Sequence, residues 1–315
     1  MVTRIICASV STVRGSVMDE LFRIRDHICA HGEGTSVMGA LLFSAGWFLL
    51  WLEGPDDDVE AARKRAARDR RNMHQRVIHR SVGPATLTTM ATVVMAQMAE
   101  SPAGFWHRIV RVRDGLGPAL DPAGIWHALS APCVAPPGAG MDDCPRRHVA
   151  LVSAEDNGPI HLLRNLSDRC GTTLVYQRIA DSACRGSDVG VAYADIPTHS
   201  GIVRVQLLSR RALSKELVRA SIDGAESLVL LLGSRDALAQ ELAGRVAECT
   251  CESGRHPRFI LCGDDREIVA RASDQLRAAG GRECARLDPS QLEAFIVGQS
   301  AARPRHRHEY GACDA

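Results

Sequence analysis

The segment from Gly39 to Gly54, GALLFSAGWFLLWLEG, constrains the fold more than any other stretch of the chain. It is apolar enough to suggest a membrane span. A helix that crosses a bilayer needs about 18 or more unbroken apolar residues, however, and Ser44-Ala45-Gly46 interrupts this one near its middle. Two short buried strands around a tight turn satisfy both the apolar content and the interruption, and Gly46 can supply the positive φ that such a turn requires.

The flanking sequence extends this hairpin into a domain. Arg4 to Val10 is a short apolar run suited to a buried strand, and Met18, Leu21, Ile24 and Ile28 recur at helical spacing through Met18 to Ala30. A second helix is expected after Pro55, where Asp56, Asp57 and Asp58 favour the positive end of its dipole and the basic run Arg63 to Arg71 occupies its later turns. Val77 to Val82 follows as a strand. The order strand, helix, strand, strand, helix, strand predicts an α+β, ferredoxin-like sandwich with two helices on one face of an antiparallel sheet. We place this domain at residues 1–100. Residues Thr86 to Arg113 read as partly helical, and Gly115 to Pro145 is rich in Pro and Gly, so 101–146 reads as a helix and linker.

From His148 the pattern changes. The apolar runs Val149 to Ser153, Ile202 to Leu208, Ser227 to Leu232 and Arg258 to Cys262 alternate with helical spacing at Leu213 to Ile222, Ala237 to Cys249, Glu267 to Ala279 and Pro289 to Val297. Such alternation predicts an α/β domain over 147–300, with a mainly parallel sheet covered on both faces. Residues 301–315, AARPRHRHEYGACDA, are polar and read as a disordered tail.

Composition narrows the function classes. Lys and Arg number 38 against 37 for Asp and Glu, so no global field draws the chain to nucleic acid or to an acidic membrane. Eleven cysteines in no framework and no signal-like leader lead us to expect a reduced, cytoplasmic protein. Length and apolar content allow two domains with separate cores. No nucleophile elbow or Ser/His/Asp signature is present. Cys249 and Cys251 with His256 lack a second cysteine pair at zinc spacing, and the tail group His306, His308, Glu309 and Cys313 reads as solvated, so no metal site is expected.

The Gly-x-Leu-Leu hairpin, the Leu-Glu-Gly-Pro corner and the Asp-Arg-Arg helix end occur together in VMGALLFSAGWFLLWLEGPDDDVEAARKRAARDRRN. With them the first ~90 residues resemble a BLUF domain, the sensor of blue light using FAD. The resemblance implies FAD as the family cofactor, gripped by a Tyr on the first strand, an Asn at the flavin's polar edge and a Gln between Tyr and the flavin. In this sequence those positions fall on Cys7, Gly32 and Leu50. None of the three can replace the lost group: Leu50 has no hydrogen-bonding atom and Cys7 no phenol. Asp69 and Arg71 match positions on the ribityl and phosphate side, Asn72 stands where a His is usual, and the late Trp-x-Met falls near Thr88 and Met90. We therefore expect little or no bound flavin and no ordinary photocycle. As a small residue on a buried strand, Cys7 reads as an inert hydrophobe.

The second half is similar, by order and spacing, to Ras-type small GTPases. The positions of their nucleotide chemistry are altered as well. The loop SAEDNGPIH keeps Gly158 but has Pro159 and Ile160 where Lys and Ser/Thr belong, and Glu155 and Asp156 carry charge of the wrong sign for phosphate. Ser209 takes the switch glycine, and Cys262, Gly263, Asp264 and Asp265 stand in for the guanine-reading motif, with Asp265 alone retained. We expect Asp264 and Asp265 to mark a helix N-terminus. The resulting expectation is a regulatory adaptor rather than an enzyme, a degenerate sensor joined to a pseudo-GTPase. It would act through protein partners, with homodimerisation implied by the first resemblance and no nucleic-acid or membrane partner. Two alternatives are a flavin photoreceptor with atypical contacts and a GTP-binding switch.

Overall fold

A computed structural model describes residues 1–32, 34–97, 100–115, 121–131, 146–155, 160–182, 188–198, 201–222, 224–253, 257–280 and 284–298. The N-terminal half has the expected order: β1 (Val2–Ser11), α1 (Val17–His31), β2 (Met38–Ser44), β3 (Trp47–Gly54), α2 (Asp56–Ala67) and β4 (Asn72–Gly83). Local chemistry sets the boundaries. The Ser16 side chain accepts from the Asp19 amide to cap α1, and α2 begins after Pro55 with three aspartates in its first turn and Lys64 and Arg65 in its last. Between β2 and β3 the chain reverses through Ala45 (φ 47°) and Gly46 (φ 80°), both left-handed as a two-residue hairpin turn demands.

Strand periodicity divides the side chains between two faces. Ile5 and Cys7 of β1 point with Leu52 of β3 toward Val59 of α2, while Ile6 and Ala8 point to the opposite face with Leu49 and Trp51. The sequence led us to expect helices on one face only. In the structure α3 (Pro102–Gly115) and α4 (Pro122–Ser130) cover the second face, packing Phe105, Ile109, Ile125, Trp126 and Leu129 into the same cluster as Trp51. The expected linker is thus corrected over 122–130. This part is a helix capped by Asp121 with Pro122 at its first position, and its apolar side is buried. Residues 116–120 and 132–145 of that span lie outside the described residues.

The second half contributes β6 (Arg146–Ser153), α5 (Ile160–Arg169), β7 (Val175–Asp181), β8 (Val189–Thr198), β9 (Gly201–Ser209), a 3₁₀ turn (Arg210–Ser214), α6 (Glu216–Ile222), β10 (Ser227–Leu231), α7 (Asp236–Ser253), β11 (Arg258–Cys262), α8 (Arg266–Ala278), β12 (Cys284–Leu287), a second 3₁₀ turn at Pro289–Gln291 and α9 (Leu292–Gly298). β12, β11, β10, β6 and β9 run parallel in that order, and β8 and β7 continue the sheet antiparallel. Helices lie on both of its faces. One cluster joins α7 and α8 to the sheet, and another joins Leu163 and Leu166 of α5 and Ile296 of α9 to it.

The expectation of two separate cores also needs correction. The strand β5 (Thr92–Ala96) pairs parallel with β2 on one side and antiparallel with β7 on the other, so the halves share one sheet of twelve strands, β12-β11-β10-β6-β9-β8-β7-β5-β2-β3-β1-β4. One apolar cluster runs from Ile6 and Trp51 to Leu261 and Ile268. The sequence could not reveal this because β5 is five residues long and lies where we read partial helix.

A polar seam crosses this shared core. His148 Nε2 lies 3.0 Å from Gln206 Oε1, the Gln206 amide nitrogen donates to Tyr193 Oη and Ser221 Oγ, and Arg204 is ion-paired to Asp195 at 2.8 Å. The rings of His127 and His148 stand 6.1 Å apart, and burial, reinforced by the nearby Arg204, pulls both down to about 4.

These features give two predictions. Trp126→Ala removes a ring packed 5.9 Å from Trp51, and should cost about 3–5 kcal/mol. Denaturant unfolding followed by far-UV and tryptophan signals should still show one transition. For His127 and His148 the folded state binds fewer protons than the unfolded chain between pH about 6.5 and about 4, so stability should fall as pH drops through that window. His148→Gln should flatten this slope in a pH series of unfolding midpoints.

Candidate functional site

A cavity of about 590 Å³ lies between α1, α2 and the face of the sheet built by β1, β2, β3 and β5. Its sheet wall is apolar, with Leu41, Phe48, Leu50 and Val93, and α1 closes it with Ile24 and Ile28. Strand alternation sets this wall, because the even positions 48, 50 and 52 of β3 face the helices while Leu49 and Trp51 face away.

Two of the three altered positions, Gly32 and Leu50, line this cavity, and Cys7 does not. Cys7 and Leu50 are direct partners in the antiparallel register of β1 and β3, and Leu50 packs against the cluster that contains Cys7. Burial pushes the Cys7 thiol up to about 12, opposed in part by Arg63, so it stays neutral and unreactive. Gly32 terminates α1, and a Cβ built there would lie 2.6 Å from the Ile28 carbonyl oxygen and 2.7 Å from Met90 Sδ. The Met90 thioether therefore fills the space that a side chain at position 32 would need.

Asp69 and Arg71 are brought together at the cavity's polar end. The Arg71 backbone amide and its guanidinium both donate to the Asp69 carboxylate, and Arg71 Nη1 reaches Glu20 Oε2 of α1 at 3.5 Å. The hydrogen bond from Arg71 holds Asp69 below the usual carboxylate range. Two further wall groups are Asn72, which stands where the resemblance implies a His, and Gln75, which carried no motif in the sequence. Asn72 donates to the Ala66 carbonyl, and its Oδ1 and the Oε1 of Gln75 are buried with no hydrogen-bond partner among the described residues. Both residues line the cavity. Gln75 sits two positions before Val77 on β4, a spacing that could have marked it as facing α2.

A flavin gripped at its polar edge does not fit these residues. The positions nearest the β1–β3 pair carry a thiol and a Leu, and the position at the end of α1 has room for no amide. Polar groups remain on the lining, Asp69 and Arg71 among them, but none stands at Leu50 or Gly32.

In the second half, the carboxyl end of β6 is also occupied by the protein itself. Arg210, at the end of β9, donates to the Ala154 carbonyl at 2.5 Å and pairs with Glu241 of α7 at 3.0 Å. Asp265 accepts from the Glu267 and Ile268 amides as the N-cap of α8. Asp156, Gly158 and Pro159 lie outside the described residues, as do His256, His306, His308, Glu309 and Cys313, and Ile160 opens α5. Among the described residues no cluster of three or more His, Cys, Asp and Glu could hold a metal, and no helix is long and apolar enough to cross a membrane.

Comparison with known proteins places a BLUF domain at residues 2–86, matched by the family described as sensors of blue light using FAD. No curated protein matches the chain. Similar solved structures include a bacterial light-regulated adenylyl cyclase, 19% identical over 30% of this chain and 28% of that one, TM-score 0.28. BlsA in its photo-activated state is 16% identical over 41% of this chain and 92% of its own, TM-score 0.31. BlrB, a BLUF protein in its dark state, is 13% identical over 41% of this chain and 95% of its own, TM-score 0.31. The chain thus spans little more than a quarter of the cyclase.

The crowding at Gly32 is directly testable. Gly32→Asn should destabilise the fold by about 1–3 kcal/mol, read as a lower denaturant midpoint, and pairing it with Met90→Ala should recover part of the loss.

Proposed function

We propose that this protein is a regulatory adaptor whose BLUF domain has exchanged flavin photochemistry for a role as a binding and coupling module. The observation that carries this reading is the direct strand pairing of buried Cys7 with Leu50, which lines the cavity. Electron and proton transfer through a phenol and an amide is impossible between a neutral thiol and a hydrocarbon side chain. The cavity itself is retained, which supports a binding role rather than a purely structural one.

Coupling is supported by the wall that the cavity shares with the second half. Met90 to Val93 line it, and the same segment continues as β5 into the pairing with β7. Thr88 donates from its amide and hydroxyl to the Glu216 carboxylate of α6, and the preceding Lys215 is ion-paired with Asp181 of β7 at 3.0 Å. A change at the cavity would strain α6 and the adjoining 3₁₀ turn.

For the second half we propose a pseudo-GTPase role. The parallel sheet with its antiparallel extension supports that topology, and Arg210 occupies the loop end where phosphates would need backbone amides. Output would then pass to a protein partner. The twelve-residue edge strand β4, with Met73, Val77 and Val82 exposed, supports such contact, including contact with a second copy.

Freshly purified full-length protein should be colourless above 400 nm and show no light-induced red shift, with or without added FAD. A yellow preparation with a reversible shift would establish a photoreceptor instead. Calorimetric titration of the full chain with GTP and GDP in magnesium should give no binding at micromolar concentration, and micromolar binding would defeat the pseudo-GTPase assignment.

A further inference from the structure

We infer that the cavity of the BLUF domain binds an amphipathic anion, with an apolar chain or ring against Leu50 and a carboxylate or phosphate head at the arginines around Arg71. This rests on the proposed loss of flavin chemistry and assigns the retained cavity a ligand class.

The two ends of the site have opposite character. Leu50 and Gly32 stand where the resemblance implies two amides, and the wall around them is hydrocarbon from Leu41, Phe48, Leu52 and Val93, with the Met90 thioether beside Gly32. Its volume of about 590 Å³ lies within the range of about 300–1,000 Å³ typical of small-molecule sites. At the other end the cavity shares Asp69 and Arg71 with a second, polar depression. There Arg14, Arg23, Arg70 and Arg71 face only two carboxylates, Glu20 and Asp69.

The ion pairs within the depression leave cations available. Arg71 holds Asp69 and reaches Glu20, and Glu20 also takes Arg23. Arg14 and Arg70 form no ion pair among the described residues, and both side chains are exposed beside Arg71. Arginine suits carboxylate and phosphate because its planar fork donates two parallel hydrogen bonds. A neutral apolar ligand would leave this mouth unused, and a small inorganic anion would leave the apolar wall empty. The buried Asn72 Oδ1 and Gln75 Oε1 have no donor among the described residues and favour a body that carries a hydroxyl.

The test uses full-length protein and four probes: dodecanoate, decanoate, dodecanol and FAD, by isothermal calorimetry below the micellar range. Dodecanoate should bind one to one. Decanoate should bind about fifteenfold more weakly, since each buried methylene is worth about fourfold in affinity. The double variant Arg14→Gln/Arg70→Gln, altered only at exposed positions, should weaken dodecanoate about three- to tenfold and leave dodecanol unchanged. Ala66→Phe, which projects a ring into the cavity, should abolish both, and its unfolding midpoint confirms that it folds. Equal affinity for the two acids, or no response to the arginine substitutions, would overturn the site. Binding of FAD with yellow colour and a light response would instead overturn the loss of photochemistry on which the site rests. Failure of all four probes would overturn the site alone.

Discussion

The antiparallel pairing of Thr92–Ala96 with Gln177–Asp181 is the contact on which the rest of the structure depends. Without it, β5 and β7 would each end a sheet with a row of unpaired amides and carbonyls, and such edges invite pairing with other chains. Joined, they make the sheet continuous from β12 to β4 and oblige the helices on one face to pack as one layer. The junction is reinforced by buried charge. Lys215 and Asp181 lie 3.0 Å apart with both side chains almost wholly enclosed, and removing the Asp181 carboxylate would take this counter-charge from a buried lysine. Such a pair contributes little net stability against a well-packed apolar substitute, but it disfavours any register of β7 that separates Asp181 from α6.

The same economy governs Glu53 of the Leu-Glu-Gly-Pro corner. Although 1% exposed, it is fully engaged, accepting from the Trp51 indole and from the Thr86 and Leu87 amides. These bonds hold the segment between β4 and β5 against the sheet, and Thr88 then extends the chain to Glu216. A corner that reads as family signature in the sequence therefore acts as a clamp that sets where β5 begins.

Much of the N-terminal half was legible because its signals are local. The interruption at Ser44-Ala45-Gly46, the triple aspartate after Pro55 and the spacing of Met18, Leu21, Ile24 and Ile28 each fix an element without reference to distant residues. The parallel strands were legible for a related reason, since strands buried on both faces are continuous apolar runs. What stayed hidden depends on partners far away in the chain. β5 is a five-residue strand whose identity comes from β2 and β7. α4 is short and lies in Pro- and Gly-rich sequence, and its burial follows from Trp51 some seventy positions earlier. The site divides in the same way. Cys7, Gly32 and Leu50 could be located from the order of motifs, and their effect on hydrogen bonding followed from residue type. The obstruction of Gly32 by Met90, the unpartnered amide oxygens of Asn72 and Gln75, and the gathering of Arg14, Arg23 and Arg70 beside Arg71 are products of tertiary packing.

On the proposed reading, the cavity belongs to a domain that does not grip a flavin at its polar edge. An empty apolar space of this size is costly, because its lining atoms forgo packing contacts and each enlargement lowers stability. Drift without function would be expected to fill it through larger side chains at Gly39, Ala62 or Ala66, all of which border it. Those positions are small, and Leu50 and Met90 contribute apolar surface to the wall. The polar loss and the retained volume are therefore better understood together than apart. Leu50 and Gly32 offer no side-chain hydrogen bond to a flat polar ring, the cavity shares Asp69 and Arg71 with an arginine-lined depression, and the strand forming one wall is the strand that joins the two halves of the protein.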